Sequence, residues 1–396
     1  MIKLLNAHAE RVLSRCSKSR LLALDVLRGM TITAMVLVNN PGSWANIYAP
    51  LKHAHWHGLT PTDLVFPFFV FMMGISIGLV INRAKTQPLQ HLKVWTRTLK
   101  LFGLGLFLFL FYINFQSETF SWVEDRLYKI RFFGVLQRLA IVYVIAYYIA
   151  FYVSSKTQKY ILVSILSGYW AISAFVPYQD SVGNTYMGEL AYGNSLAAWL
   201  DNLILGSQHL YYKTAQPFAF DPEGVLSTVP TVASALTGVF AANILTNQSL
   251  QTADKAKQLL IYGIAMLLIG YLISLVVPIN KQLWTSSFVL VSSGWASAIL
   301  AGLIWLLDIK GYKKWSAPFV VFGVNAIGFF VFSGLFARAL LMIPVGETSL
   351  KGMLYRDYFS QIISPTFGSL VFALCFCAAC YLVFYKLYQK QIIFKV

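Results

Sequence analysis

Apolar residues dominate the chain in long runs that are separated by short polar stretches. A run of about 20 apolar residues is long enough for a helix to cross the hydrocarbon core of a bilayer. Ten such runs lie at residues 21–40, 59–82, 98–115, 133–154, 158–176, 225–245, 258–278, 285–307, 316–336 and 365–385. The pattern therefore predicts an all-α polytopic membrane protein, a bundle of about ten transmembrane helices.

The composition agrees with a chain that is buried in lipid. Hydrophobic residues make up 58% of the 396 residues and charged residues only 12%, with a mean hydropathy of +0.64. Soluble domains are usually about one-quarter charged. The first 20 residues are basic and lack the apolar core and cleavage site of a secretory signal peptide. We therefore expect a basic cytoplasmic segment at 1–20, followed by one transmembrane domain at 21–396.

Lysine and arginine are distributed unevenly between the two sets of loops. The set that begins with 1–20 holds 19 of these residues, whereas the alternate set, which begins with 41–58, holds nine. Positive charge concentrates on the cytoplasmic side of membrane proteins. The distribution predicts both termini in the cytoplasm and 41–58 on the outer side, as in a multi-pass protein of the bacterial inner membrane. It also explains the net charge of +16 without a nucleic-acid partner.

Three of the six histidines, His53, His55 and His57, lie together just before the second apolar run. An imidazole can change charge near neutral pH, which makes this loop a candidate for proton transfer or ligand binding. Asp63 follows, in the first turn of the predicted helix. It can stabilise the helix N-terminus, or it can orient an imidazole as carboxylates do in catalytic triads. A loop that simply lies among lipid headgroups is the alternative interpretation.

The first apolar run carries polar residues on one helical face, namely Asp25, Arg28 and Asn39. Polar groups on a membrane helix face the interior of the bundle, because lipid cannot satisfy them. Asp25 and Arg28 are spaced for a structural ion pair. Asn39 lies near the outer end, where its amide can donate a hydrogen bond to a carbonyl oxygen or make an interhelical contact.

The one long loop, 177–224, is expected on the outer side and contains five acidic residues against one lysine. Loops of this length are uncommon unless they are functional. An acidic vestibule favours a cationic ligand such as an amine, although a solvated loop would have the same composition. Asp221 and Glu223 close the loop, where they can cap the next helix or bind an ammonium group.

Other polar residues lie within or beside the predicted helices. Arg138 falls inside the fourth run, where a buried arginine needs an acidic or phosphate partner. Asn325 falls in the middle of the ninth run. Arg97 and Lys310 border the expected cytoplasmic face, where they can hold phosphates or serve as positive anchors.

The chain has no nucleotide-binding loop, dinucleotide fingerprint or zinc-protease motif. Three of the four cysteines, Cys375, Cys377 and Cys380, lie in the last apolar run. Cysteine packs as a small hydrophobe, and a zinc site needs further ligands nearby. We therefore expect no metal site.

In these same residues the chain resembles the heparan-α-glucosaminide N-acetyltransferase family. The similarity extends from about Leu24 to the C-terminus. The matching blocks are Asp25–Gly29, Val38-Asn39, Lys52-His53-Ala54, Trp56, Gly58-Leu59-Thr60, Asp63–Pro67, Gly134–Leu139, His209-Leu210-Tyr211, Asp221–Gly224, Asn280-Lys281, Leu283-Trp284 and Asn325. So many blocks in the same order make the resemblance specific.

The resemblance implies a transmembrane acyltransferase bundle that uses acetyl-CoA to acetylate an amino sugar on the non-cytoplasmic side. It implies that His53 is the catalytic histidine and Asn39 the catalytic asparagine. Compared with the lysosomal member of the family, the chain lacks a large lumenal N-terminal region and has Ser333 near a position where that enzyme has histidine. We therefore expect a small amino sugar rather than a polymer as the acceptor.

The resulting hypothesis assigns a role to each candidate residue. His53 acts as general base or is itself acetylated, two routes that the sequence does not separate, and Asn39 stabilises the oxyanion. The residues expected to bind the acceptor are Asp63, Arg138, His209, Asp221, Glu223, Asn280, Lys281, Trp284 and Asn325. Those expected to bind CoA are Arg97, Lys310 and Arg28. The alternative function is an amino-sugar transporter that transfers no acetyl group. The sequence does not determine the oligomeric state, and a homodimer is one form that it allows.

Overall fold

A computed structural model describes residues 2–15, 21–83 and 90–394. Within these residues the regular secondary structure is helical apart from three two-stranded hairpins, and loops connect the elements. Residues 1 and 16–20 of the expected basic N-terminal segment lie outside the described residues. The expected class, an all-α polytopic membrane protein, is confirmed.

Fourteen α-helices can be traced through the described residues. They are α1 (Ile2–Leu13), α2 (Leu22–Asn39), α3 (Val65–Arg83), α4 (His91–Leu110), α5 (Val135–Tyr152), α6 (Ser155–Phe175), α7 (Leu196–Leu205), α8 (Val225–Thr246), α9 (Thr252–Ile273), α10 (Ser286–Leu303), α11 (Ala317–Val324), α12 (Ala326–Met342), α13 (Leu350–Leu354) and α14 (Pro365–Gln389). The hairpins pair β1 (Tyr178–Gln179) with β2 (Thr185–Tyr186), β3 (Leu190–Ala191) with β4 (Asn194–Ser195), and β5 (Pro344–Val345) with β6 (Thr348–Ser349).

Seven helices of the described chain are long and apolar enough to cross a membrane, or eight if the bent pair α11 and α12 counts as one. Two of the ten expected spans, 98–115 and 158–176, fall on α4 and α6. Both helices are long, but α4 carries three basic residues and α6 begins with a polar turn. These two helices are not among the seven that are apolar enough to cross a membrane.

The expected ninth span, 316–336, is not one straight helix. The chain bends by 76° between α11 and α12, at Asn325. The Asn325 side chain satisfies backbone groups of the C-terminal segment, because its amide donates to Ile392 O at 2.9 Å and its oxygen accepts from Phe394 N at 2.9 Å. Beside the bend, α2 and α11 cross in contact, and a Cβ at Gly29 would lie 1.7 Å from Phe319 O.

Three segments, 41–64, 206–224 and 274–285, meet at one end of the bundle, which we call the histidine end. Gly58, whose φ of +114° suits glycine, donates from its backbone to Ile279 O at 2.8 Å. Trp56 packs edge-on against Phe220 with ring centroids 5.6 Å apart. These contacts bring the histidine loop together with segments that lie more than 150 residues away along the chain.

Candidate functional site

A cavity of about 330 Å³ opens at the histidine end, between α2, α3, α5 and the three loop segments. We call it the histidine chamber. Its polar lining consists of Asn39, His53, Thr62, Asp63, Arg131, Tyr211, Tyr212, Glu223, Lys281 and Gln282, and apolar residues of α2, α3, α5 and the loop segments complete the wall. The two residues that the resemblance implies to be catalytic, His53 and Asn39, thus line one cavity.

His53 is held by the carboxylate of Asp63. Its Nδ1 lies 2.6 Å from Asp63 Oδ1, and the Asp63 side chain is 2% exposed against 45% for His53. Because a carboxylate accepts hydrogen bonds, Nδ1 carries the proton and Nε2 keeps its lone pair. The histidine is therefore oriented as a proton acceptor, with Nε2 as the accepting atom.

Asp63 is fixed in turn by the start of the helix. Its Oδ2 accepts from the backbone N–H groups of Ala54 and Thr60, each at 3.0 Å, and from the Thr60 hydroxyl at 2.9 Å. Thr60 and Asp63 form a capping box. The two sequence-based interpretations of Asp63, a helix cap and an orienting carboxylate, therefore hold at the same time.

Lys281 reaches the same corner from the loop between α9 and α10. Its Nζ lies 3.1 Å from Nδ1 and 3.3 Å from Nε2 of His53, and 3.7 Å from Asp63 Oδ1. Burial lowers the pKa of Lys281, while Asp63 and Glu223 act in the opposite direction. The ammonium group thus gives the histidine chamber a cationic donor next to the imidazole.

Asn39 is the last residue of α2, and its exposed side chain makes none of the hydrogen bonds found among the described residues. Its neighbour Asn40 is buried and donates back to Val36 O at 2.8 Å. Asn39 also lines a second cavity of about 600 Å³, which shares Met35 and Tyr211 with the histidine chamber. The amide of Asn39 is therefore accessible from two sides.

The two carboxylates expected to bind an amine are both paired with Arg131. Arg131 Nε and Nη2 donate to the Asp221 carboxylate at 2.6 and 2.5 Å, and Nη2 lies 2.5 Å from Glu223 Oε2. Burial opposes the charge of Arg131, but the two carboxylates outweigh it and raise the pKa of the guanidinium. Of these three residues, Glu223 and Arg131 line the histidine chamber, whereas Asp221 is buried behind its wall.

Asp201 of α7 anchors the turn that carries these carboxylates. The residue is 1% exposed, and its side chain accepts from Val225 N at 2.8 Å and Asp221 N at 3.3 Å. Burial raises the pKa of Asp201 to about 7. In the sequence it was only one acid of the long loop, since nothing local indicates that α7 packs under the Asp221 turn.

Three residues expected to contact the acceptor lie behind the histidine chamber instead of lining it. Arg138 is 0% exposed, donates to Ser227 Oγ and lies 5.2 Å from the ring of Trp284. Trp284 is itself buried and donates to Ser234 Oγ at 3.0 Å. Asn280, also fully buried, donates to Trp56 O at 3.0 Å. Their burial separates their side chains from the lining of the histidine chamber in this structure.

His209 also lies outside the lining of the histidine chamber. Its Nδ1 is 2.7 Å from Ile130 O, and its ring packs on Phe132 with centroids 4.9 Å apart. The contact fixes the segment before Arg131. Five polar lining residues were missed as site residues in the sequence, namely Thr62, Arg131, Tyr211, Tyr212 and Gln282. Thr62 and Gln282 adjoin the predicted residues Asp63 and Lys281, and Tyr211 lies two residues after His209.

A third cavity, of about 300 Å³, lies toward the opposite end of α2 and is lined by Arg28, Arg97 and Asn325. Two of the three residues expected to bind CoA therefore meet here. Arg97 stacks on Tyr143 at 4.5 Å, and its Nε is buried with no hydrogen-bond partner among the described residues. Lys310 lies elsewhere, 5.4 Å from the ring of Trp305. Asn325, expected to bind the acceptor, belongs to this cavity instead.

Comparison with known proteins gives a consistent result. The family model described as "Heparan-alpha-glucosaminide N-acetyltransferase, catalytic" matches residues 20–276. A human protein named heparan-alpha-glucosaminide N-acetyltransferase is 28% identical over 95% of this chain, and the mouse protein of the same name is 29% identical over 96%. The chain spans only 60% and 61% of the length of these two relatives.

Proposed function

The chain belongs to the heparan-alpha-glucosaminide N-acetyltransferase catalytic family, and from that premise we propose that it is a membrane N-acetyltransferase. It moves acetyl from cytoplasmic acetyl-CoA to the amine of a glucosamine-type sugar on the periplasmic side of a bacterial inner membrane. The observation that carries the proposal is the pairing of His53 with Asp63 at 2.6 Å in a cavity that Asn39 also lines.

The reaction breaks the C–S bond of the thioester and forms an amide C–N bond. The amine must lose a proton, which His53 accepts at Nε2 while Asp63 stabilises the positive ring from the Nδ1 side. The proton then passes to the thiolate of CoA, so that free CoA and the N-acetyl sugar leave. Asn39 donates to the oxyanion of the tetrahedral intermediate, and one such donor is worth roughly 3–4 kcal/mol.

A second route uses the same residues. The acetyl group first bonds to His53 as an acetyl-imidazole with loss of CoA, and the amine then attacks that group. Incubation with acetyl-CoA alone distinguishes the routes, because only the covalent one leaves an acetylated enzyme and releases CoA without acceptor.

The donor is assigned to the cavity of Arg28 and Arg97. The buried, unpartnered Nε of Arg97 fits a phosphate oxygen, since guanidinium groups bind phosphate through directed N–H donors. Arg28 and Asn39 lie 11 residues apart on α2, which corresponds to about 16 Å along a helix. A donor bound at Arg97 with its thioester at Asn39 would therefore extend along α2.

The test uses the purified full chain with acetyl-CoA and glucosamine, and it measures free CoA and the mass of the sugar. Turnover is expected in the native protein and in His55→Ala, which changes an exposed neighbour outside the histidine chamber. His53→Ala is expected to lose turnover. A protein that moves the sugar across vesicles without releasing CoA is a transporter, and full turnover of folded His53→Ala would remove His53 from the mechanism.

A further inference from the structure

The second cavity that Asn39 lines differs in charge from the histidine chamber. It has a volume of about 600 Å³ and lies at the histidine end between α2, α4, α12 and α13. Arg126, Arg338 and Lys351 line it, and we call it the cationic chamber. No Asp or Glu belongs to its lining within residues 2–15, 21–83 and 90–394.

The three cations come from separate elements and have mainly neutral partners. Arg126 lies 4.4 Å from the ring of Tyr112, and Arg338 Nη1 donates to Gly334 O at 2.9 Å. Lys351 Nζ lies 5.8 Å from the ring of Phe372. None of the ion pairs within the described residues includes them. The chamber thus concentrates positive charge that no carboxylate balances by direct contact.

Two acids of the neighbouring segments are engaged elsewhere. Asp125, next to Arg126 in the chain, pairs with Lys129 at 2.8 Å, and Asp357 pairs with Arg356 at 2.6 Å. Burial lowers the pKa of Lys351, which shows that its charge lacks full solvation. An anion placed between the three groups would restore that solvation by charge-assisted hydrogen bonds.

We propose that the cationic chamber binds an oxyanion group carried by the acceptor, so that the preferred acceptors are phosphorylated or carboxylated amino sugars. The inference rests on the proposed function. Asn39 borders both cavities, so one sugar can hold its amine near His53 and its anionic group among Arg126, Arg338 and Lys351. Phosphate, sulfate and carboxylate share this chemistry, because each accepts several N–H donors at once.

The test compares KM values of the full chain for glucosamine, glucosamine 6-phosphate, glucosamine 1-phosphate and muramic acid, at fixed acetyl-CoA. At least one anionic sugar is expected to have a KM about tenfold below that of glucosamine, which corresponds to about 1.4 kcal/mol. Inorganic phosphate is expected to compete with that sugar. Lys351→Gln should bring the ratio of the two KM values toward one, and Lys351→Arg should restore it.

Arg356→Gln is the matched control, since Arg356 is exposed, pairs with Asp357 and does not line the chamber. It is expected to keep the native KM ratio. Equal KM values for all four sugars would overturn the inference while leaving the acetyltransferase in place. A change confined to the KM of acetyl-CoA in Lys351→Gln would overturn it too, because the chamber would then serve the donor. Absence of transfer to every sugar refutes the proposed function and the inference with it.

Discussion

Replacement of Asp63 by asparagine keeps the size of the side chain and changes which ring nitrogen of His53 carries the proton. The Asp63 carboxylate accepts at Oδ2 from Ala54 N, Thr60 N and the Thr60 hydroxyl, and at Oδ1 from His53. Asparagine has one oxygen, and the three donors at Oδ2 require it there. The NH₂ group then faces His53 Nδ1.

Two donors cannot share a hydrogen bond, so the imidazole of Asp63→Asn must present a lone pair at Nδ1. Its proton then lies on Nε2, the atom that should accept the proton of the amine. General-base catalysis contributes roughly 10²- to 10⁴-fold, and we expect kcat to fall by about that factor. Stability should change by only about 1 kcal/mol, because the backbone hydrogen bonds at the helix cap remain.

The assay is CoA release at saturating glucosamine, together with the thermal unfolding of each variant in detergent. Thr60→Ala is the control, because it weakens the cap by about 1 kcal/mol and leaves the contact between His53 and Asp63. It should therefore lose stability and keep most of kcat. A folded Asp63→Asn protein with kcat within about tenfold of the native value would refute the assigned tautomer.

Two further predictions address Asn39 and Asp201. Asn39→Ala should lower kcat by roughly 10²- to 10³-fold by loss of an oxyanion donor. The control Asn40→Ala removes a hydrogen bond to Val36 O and should lower mainly the melting temperature. A lower kcat in Asn40→Ala than in Asn39→Ala would contradict the role of Asn39 as the oxyanion donor. The pKa of Asp201 in the folded protein, about 7, exceeds its ordinary value of 3.8. Between these pH values the folded protein keeps a proton on Asp201 that the unfolded chain releases. The free energy of unfolding should therefore fall by up to about 1.4 kcal/mol per pH unit as the pH rises through this range. Melting curves from pH 4.5 to 7.5 should show this slope in the native protein and a flatter one in Asp201→Asn; identical slopes would count against a buried, proton-binding Asp201.

The helices were largely predictable from the sequence, because a run of apolar residues has few ways to satisfy its backbone in lipid except by forming a helix. The bend at Asn325 was not. Apolar residues continue across it without proline, and the bend depends on a tertiary contact between Asn325 and Ile392. A pattern of hydropathy carries no information about a partner 67 residues away.

The pairing of His53 with Asp63 is local, since ten residues separate them. The pattern of histidines before a capped helix therefore offered it as one of two interpretations of Asp63. Lys281 and Arg131 reach the histidine chamber from loops that the sequence does not connect to it. The burial of Arg138 and Asn280 also depends on how helices pack, so the sequence could not show that they lie behind the lining of the histidine chamber.

The acidic loop shows that the number of acids in a loop does not determine the charge of the cavity beside it. Five acids against one lysine suggested a vestibule for a cation. In the fold, Asp221 and Glu223 pair with Arg131, and the buried Asp201 of α7 accepts a hydrogen bond from Val225 N at the start of α8. Arg126, Arg338 and Lys351, which come from other loops and helices, line the cationic chamber, and no carboxylate lines it within the described residues. Three of the five acids are thus paired or buried, so an acceptor bound in the cationic chamber as proposed would meet positive charge on that side of Asn39.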